Sequence, residues 1–153
     1  MNVRINKNSE LFFKSLEDIW AAEQIWYGSP NIAVWLCTQA VEKTMKGFLH
    51  FHNISYDHGH QLRPLLDSVE EIVLVSPDFK KNVMYLNVFG SGLRYKNMTS
   101  DPTPEEAKLA IARSMYVVEE ISSHESVKKF MDEAKEVHAK MLKINRKATQ
   151  DGA

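Results

Sequence analysis

The sequence predicts an all-α protein, an up-and-down antiparallel bundle of about five helices with an extended C-terminal helix. Three observations lead there. Apolar residues recur every three or four positions over long segments, the spacing of one helix face. Three Ser/Thr-Pro pairs, Ser29-Pro30, Ser76-Pro77 and Thr103-Pro104, mark helix starts, because the hydroxyl suits the N-cap and proline's missing N–H costs nothing at the first helical position. No segment alternates with a two-residue period between hairpin turns, so no sheet is expected.

The elements follow in order. Phe12, Leu16, Ile19, Trp20 and Glu23 fall on successive turns of a helix over 8–27 that stops at Gly28. A second helix runs over 30–52. A loop of Asn, Ser, Tyr, Asp and Gly leads into a third over 61–74. The fourth covers 77–90 and ends near Gly90. The fifth starts at 104, and its Glu105 and Glu106, like Asp78 of the fourth, suit the positive end of a helix dipole. Ser122-Ser123-His124 interrupt the apolar pattern, which resumes at Val127. The expected organisation is a bundle over 1–124 and a helical extension over 125–153, packed with that bundle or apart from it, with a frayed end. Val127, Ala134 and Met141, with Phe130, Val137 and Ile144 between them, repeat like heptads. That pattern fits a helix lying along its own bundle or a dimer seam. Lys140, Lys143, Arg146 and Lys147 suit the C-terminal end of such a helix; the competing reading is a nucleic-acid tail.

Totals narrow the function. The chain has 153 residues, enough for one domain, with 19 Lys+Arg against 20 Asp+Glu. No global field advertises nucleic acid or an anionic membrane, so such a partner needs a local patch. The single Cys37 excludes an intramolecular disulfide and a Cys-rich zinc site, and it reads as a buried, inert thiol. No basic-then-apolar leader and no run of membrane-spanning length is present, so a cytoplasmic protein with no membrane partner is expected.

The second helix carries the densest information. Trp35, Gln39, Glu42, Lys43, Lys46, His50 and Asn53 share an arc of about 100°, while most of the remaining girth is apolar. Such a seam lines a site or docks a partner. Trp35, Gln39 and Glu42 are candidates for a protein interface, where an aromatic beside polar groups is a common anchor. Lys43 and Lys46 are candidates for phosphate contacts; the competing reading of Lys46 is an i,i+4 pair with Glu42. His50, His52, His58 and His60 lie close together in sequence, but His50 and His52 point to different sides of a helix, and no metal site or cofactor is expected. Gly90-Ser91-Gly92-Leu93-Arg94-Tyr95-Lys96 is the best ligand candidate. Its glycines admit an anion to backbone N–H groups, Arg94 offers a planar fork and Tyr95 a stacking face. The competing reading of Gly90 and Gly92 is a helix cap and turn.

Gln39-Ala40-Val41-Glu42-Lys43, Lys46, Gly59-His60-Gln61-Leu62 with Leu65-Leu66, then Leu93-Arg94-Tyr95 and Pro104-Glu105-Glu106-Ala107 together resemble the HEPN domain over about residues 8–122. The resemblance implies a helical bundle, commonly dimeric, that binds nucleotides or RNA. In prokaryotes it also implies a toxin–antitoxin or defence pairing with a small nucleotidyltransferase. It gives functional weight to Arg94 and Tyr95, and His60 joins them as a ligand-binding candidate. Many HEPN domains cleave RNA without metal, using an Arg followed by a His after four to six residues. Here none of the five arginines, Arg4, Arg63, Arg94, Arg113 and Arg146, has a His at that spacing. Arg94 could stabilise phosphorane charge, but the expected base is missing. The sequence therefore points to a homodimeric, non-catalytic nucleotide- or RNA-binding protein. Two alternatives stand beside it: an interaction module without a ligand, and a ribonuclease drawing an atypical base such as His58 or His60.

Overall fold

The computed structural model describes residues 4–56, 59, 61–90 and 101–152. Six helices account for most of them: α1 Lys7–Ile25, α2 Pro30–Phe51, α3 Leu62–Glu70, α4 Pro77–Gly90, α5 Pro104–Ser122 and α6 Lys128–Asp151. The described residues contain no strand. Arg94, Tyr95, His58 and His60 lie outside the described residues.

The proline punctuation sets three starts, by different chemistry. Thr103 closes a full capping box with Glu106, each side chain bonding the other's backbone N–H, so two orphan donors are satisfied at once. Ser76 accepts from the Phe79 N–H at 3.0 Å and is itself held by the Glu120 carboxylate. Ser29 occupies the N-cap of α2 but makes no side-chain cap bond. Its φ of −140° and ψ of 65° depart from the extended geometry that turns a cap hydroxyl toward the helix.

Two boundaries differ from the periodic pattern. The third helix ends at Glu70, short of 74. Glu70 and Glu71 put negative charge at the negative end of the dipole, and the N–H groups of Ile72 and Val73 both fold back on the Val69 carbonyl. The long final segment is two helices. Ser122 and Ser123 turn their hydroxyls onto the Val118 and Glu120 carbonyls, competition that weakens a helix from within, and the chain reverses over 123–127.

Cross-contacts fix the directions. Ser15 meets Thr44, and Asp18 meets Lys43, so α1 and α2 are antiparallel. Asn82 meets Arg113 and Ser76 meets Glu120, so α4 and α5 are antiparallel too. The partners Leu62–Asn87 and Glu70–Lys80 run α3 against α4, which leaves the short α3 parallel to α2. At the other side, Glu133 bonds Asn6 and Ser9 while His138 sits edge-on to Phe13. Thus α6 runs parallel to α1.

One core unites all six. α2 is its centre, burying Ala33, Val34, Cys37, Ala40, Val41, Met45, Phe48 and Leu49. Phe12 of α1 lies over Gly47, where an added Cβ would stand 2.9 Å from the ring; the glycine lets the two backbones approach. Val127, Phe130, Met131 and Ala134 enter the same core, so the first half of the heptad pattern is spent within the chain. Farther along, Lys140 pairs with Glu136 and Ile144 is exposed.

Candidate functional site

The α2 seam is held by charge pairs. Glu42 is only 4% exposed. One of its oxygens accepts from Lys46 Nζ at 2.6 Å and the other from Gln39 Nε2 at 3.1 Å. The Lys46 ammonium also lies 5.6 Å from the centre of the Tyr56 ring, within range of a cation–π attraction. One turn away, Lys43 Nζ meets Asp18 of α1 at 2.6 Å. Burial raises the Asp18 carboxyl above its ordinary value, and the bond to Lys43 opposes that shift without overcoming it. Both lysines therefore have their charge matched inside the chain, and a phosphate would have to compete with a carboxylate at either one.

The interface candidates divide by exposure. Trp35 and Gln39 are half-buried. Glu42 is committed inward, bridging Gln39 and Lys46. Beyond Lys46 the seam ends in an open hollow of about 360 Å³ lined by His50, Asn53, Ile54, Ser55 and Tyr56. Asn53 closes α2 with φ 58°, a left-handed conformation that asparagine tolerates better than most residues.

His50 and His52 do diverge. His50 is exposed, whereas His52 Nε2 lies 3.0 Å from Ser126 Oγ in the α5–α6 turn. Ser126 Oγ is also 2.6 Å from His124 Nδ1, which accepts from the Ser126 N–H as well. A nitrogen that accepts a backbone N–H carries no proton, so the hydroxyl donates to His124 and accepts from His52. Phe48 packs against both imidazoles. Burial, then the neighbouring His124, push the His52 pKa below its ordinary 6.5. Among the described residues no three His, Cys, Asp or Glu side chains converge as metal ligands.

Cys37 is buried beside Ser114, and burial pushes its thiol up to about 12. The sulfur is inert at neutral pH.

One polar centre was not singled out from sequence. Arg113 of α5 lays its guanidinium over the Tyr85 ring, 4.4 Å from the centroid, and donates Nη1 to Asn82 Oδ1 at 2.8 Å. Its Nε–H is buried and faces no acceptor. Among the described residues no carboxylate pairs with it. Sequence spacing hid this centre because its parts come from two helices, and Arg113 carries no local motif. Two further hollows are present. A cleft of about 630 Å³ lies between 73–77 and 120–125. A smaller one of about 180 Å³ has Leu16, Trp20, Met115 and His138 among its walls. No described helix is long and apolar enough to cross a membrane.

Comparison with known proteins agrees with this architecture. No curated protein matches the sequence. The crystal structure of an archaeal HEPN homologue superposes with a TM-score of 0.60 at 18% identity, covering 77% of this chain and 97% of the other. That likeness shows a shared fold. The family model of the HEPN domain matches residues 9–144, from the first turn of α1 into the last turns of α6. The chain belongs to the HEPN domain family.

Proposed function

We propose that this HEPN domain binds a nucleotide or an RNA phosphate without cleaving it. The reading puts Arg94 and Tyr95 at the phosphate and base, with His60 alongside, and makes the Trp35–Gln39 end of the α2 seam a homodimer face. Its setting is a cytoplasmic toxin–antitoxin or defence pair with a nucleotidyltransferase, an inference from family membership alone.

The distribution of charge carries the proposal. Lys43 and Lys46 are neutralised by Asp18 and Glu42, so the seam is a poor anion site; either lysine contributes only by exchanging its partner. The sequence from Gly90 to Ser100 is the opposite, with Arg94 and Lys96 and no acid. A local cationic stretch in a chain of net charge −1 is where an anion is attracted. The absence of cleavage follows from the missing His after Arg94, because 2′-OH attack needs a base.

Fluorescence anisotropy with a short labelled RNA, followed by a gel of the same sample in EDTA, tests both halves. The proposal expects saturable binding weakened by added salt and by Arg94→Ala, with the RNA intact. Metal-independent cleavage lost in His60→Ala would replace it with the ribonuclease reading. No binding, together with a dimer disrupted by Trp35→Ala, would replace it with the interaction module.

A further inference from the structure

Arg113 is electrostatically incomplete. A guanidinium is charged at every accessible pH, and a partly buried charge is costly unless an opposite charge or full hydrogen bonding offsets it. Here the offsets are a stacked ring, Tyr85, and one amide oxygen, Asn82 Oδ1. The Nε–H has no acceptor. The acids on the same face of α5, Glu106 and Glu120, lie two turns away on either side and spend their carboxylates on the Thr103 cap and on Ser76. The connection over 91–103 that joins α4 to α5 contains one acid, Asp101, and among the described residues it forms no ion pair with Arg113.

We infer that Arg113, Tyr85 and Asn82 form an oxyanion site, and that its ligand is the phosphoryl group of a nucleotide or RNA. The chemistry fits that class. An arginine held flat by an aromatic ring presents its remaining N–H groups in one plane, the arrangement that matches two oxygens of a phosphate. Asn82 is buried and fixes the Nη1 side, leaving the Nε edge for the ligand. Arg113 and Tyr85 are half-buried, not sealed, so a modest shift of the side chain brings that edge to an anion. The Tyr85 hydroxyl lies under the opposing influence of Glu106 and Arg113, with burial the larger cause of its raised pKa. A phosphoryl oxygen arriving at Arg113 would therefore also approach a protonated phenol able to donate.

This inference rests on the proposed phosphate-binding function, yet it fails separately from it. The probe is inorganic phosphate titrated into the protein at constant ionic strength, then ATP and a short RNA. The readout is the side-chain Nε–Hε resonance of Arg113, assigned by its loss in Arg113→Lys. The expected result is a saturable shift of that resonance, a higher melting temperature with phosphate, and phosphate binding about tenfold weaker in Arg113→Lys, the scale of one lost charged hydrogen bond. A shift with phosphate but none with ATP or the RNA would assign the site to free anions and overturn the nucleotide or RNA assignment. An unmoved Arg113 resonance while nucleotide still stabilises the protein through Arg94 would overturn the Arg113 site and leave the broader reading intact. No response of either arginine to any of the three probes would sink both. Tyr85→Phe, which keeps the stacked ring, serves if Arg113→Lys misfolds: it should weaken binding without altering the melting temperature of the free protein.

Discussion

At the scale of single residues, the structure turns on which charges are already spent. By sequence Lys46 suits a phosphate or a pair with Glu42, and the i,i+4 spacing leans toward the pair. The i,i+4 spacing was legible; the burial that commits the pair was not, because it depends on packing around α2. Glu42 and Lys46 side chains are only 5% and 14% exposed. Removing one partner from a buried pair strands the other, at about 3–5 kcal/mol, whereas replacing both is far milder. Lys46→Met should therefore destabilise the fold by about 3 kcal/mol, and adding Glu42→Gln should recover most of that loss in urea unfolding. Equal destabilisation in the single and double variants would show that the pair is not the source. Arg113 illustrates the opposite difficulty. Its stacking on Tyr85 joins residues from two helices, so no pattern along the chain announces it.

At the scale of elements, close approach and turn anchoring set what each helix tolerates. Gly47 faces the Phe12 ring, and an alanine Cβ would stand 2.9 Å from it. Alanine gains about 1 kcal/mol of helix propensity over glycine, but overpacking a sealed core costs about 1–3 kcal/mol. Since Phe12 is fully buried, Gly47→Ala should lower stability, and Phe12→Leu in the same chain should soften the penalty. A stabilised Gly47→Ala would contradict the α1–α2 packing described. The α5–α6 turn is pinned by the His52–Ser126–His124 relay. The His52 pKa lies below its ordinary value through burial and His124; that of His138, beside Phe13, is also lowered by burial, against the opposing pull of Glu17 and Glu23. A lowered histidine pKa means that the unfolded chain binds more protons, so stability is complete above 6.5 and declines as pH falls through the folded value. Urea midpoints measured downward from neutral pH should show this decline, and His52→Phe should flatten it. A midpoint unchanged between neutral and mildly acidic pH in the wild type would refute the relay.

At the scale of the whole molecule, the helical class, the main starts and the core face of α2 were written plainly in periodicity and proline placement. The reversal after Ser123 was not, because helical apolar spacing resumes only a few residues on, at Val127, and the serine back-bonding that weakens the helix between is seen only in the fold. Residues 127–134, which also read as the start of a dimer seam, are consumed by the bundle's own core. The HEPN family model reaches residue 144, inside α6. The candidate site was legible only in its ingredients. Spacing found the seam residues and the Glu42–Lys46 pair, whereas the pairing of Lys43 with Asp18, on another helix, required the fold.

Phosphate binding centred on Arg94 must raise the stability of the folded state by mass action, because the ligand binds only that state. Thermal unfolding of wild type and Arg94→Ala against ATP, GTP, AMP and a short RNA measures this directly. The melting temperature of the wild type should rise with ligand concentration, and Arg94→Ala should abolish the rise. The same melting temperature at every ligand concentration, or an equal rise in both proteins, would contradict it.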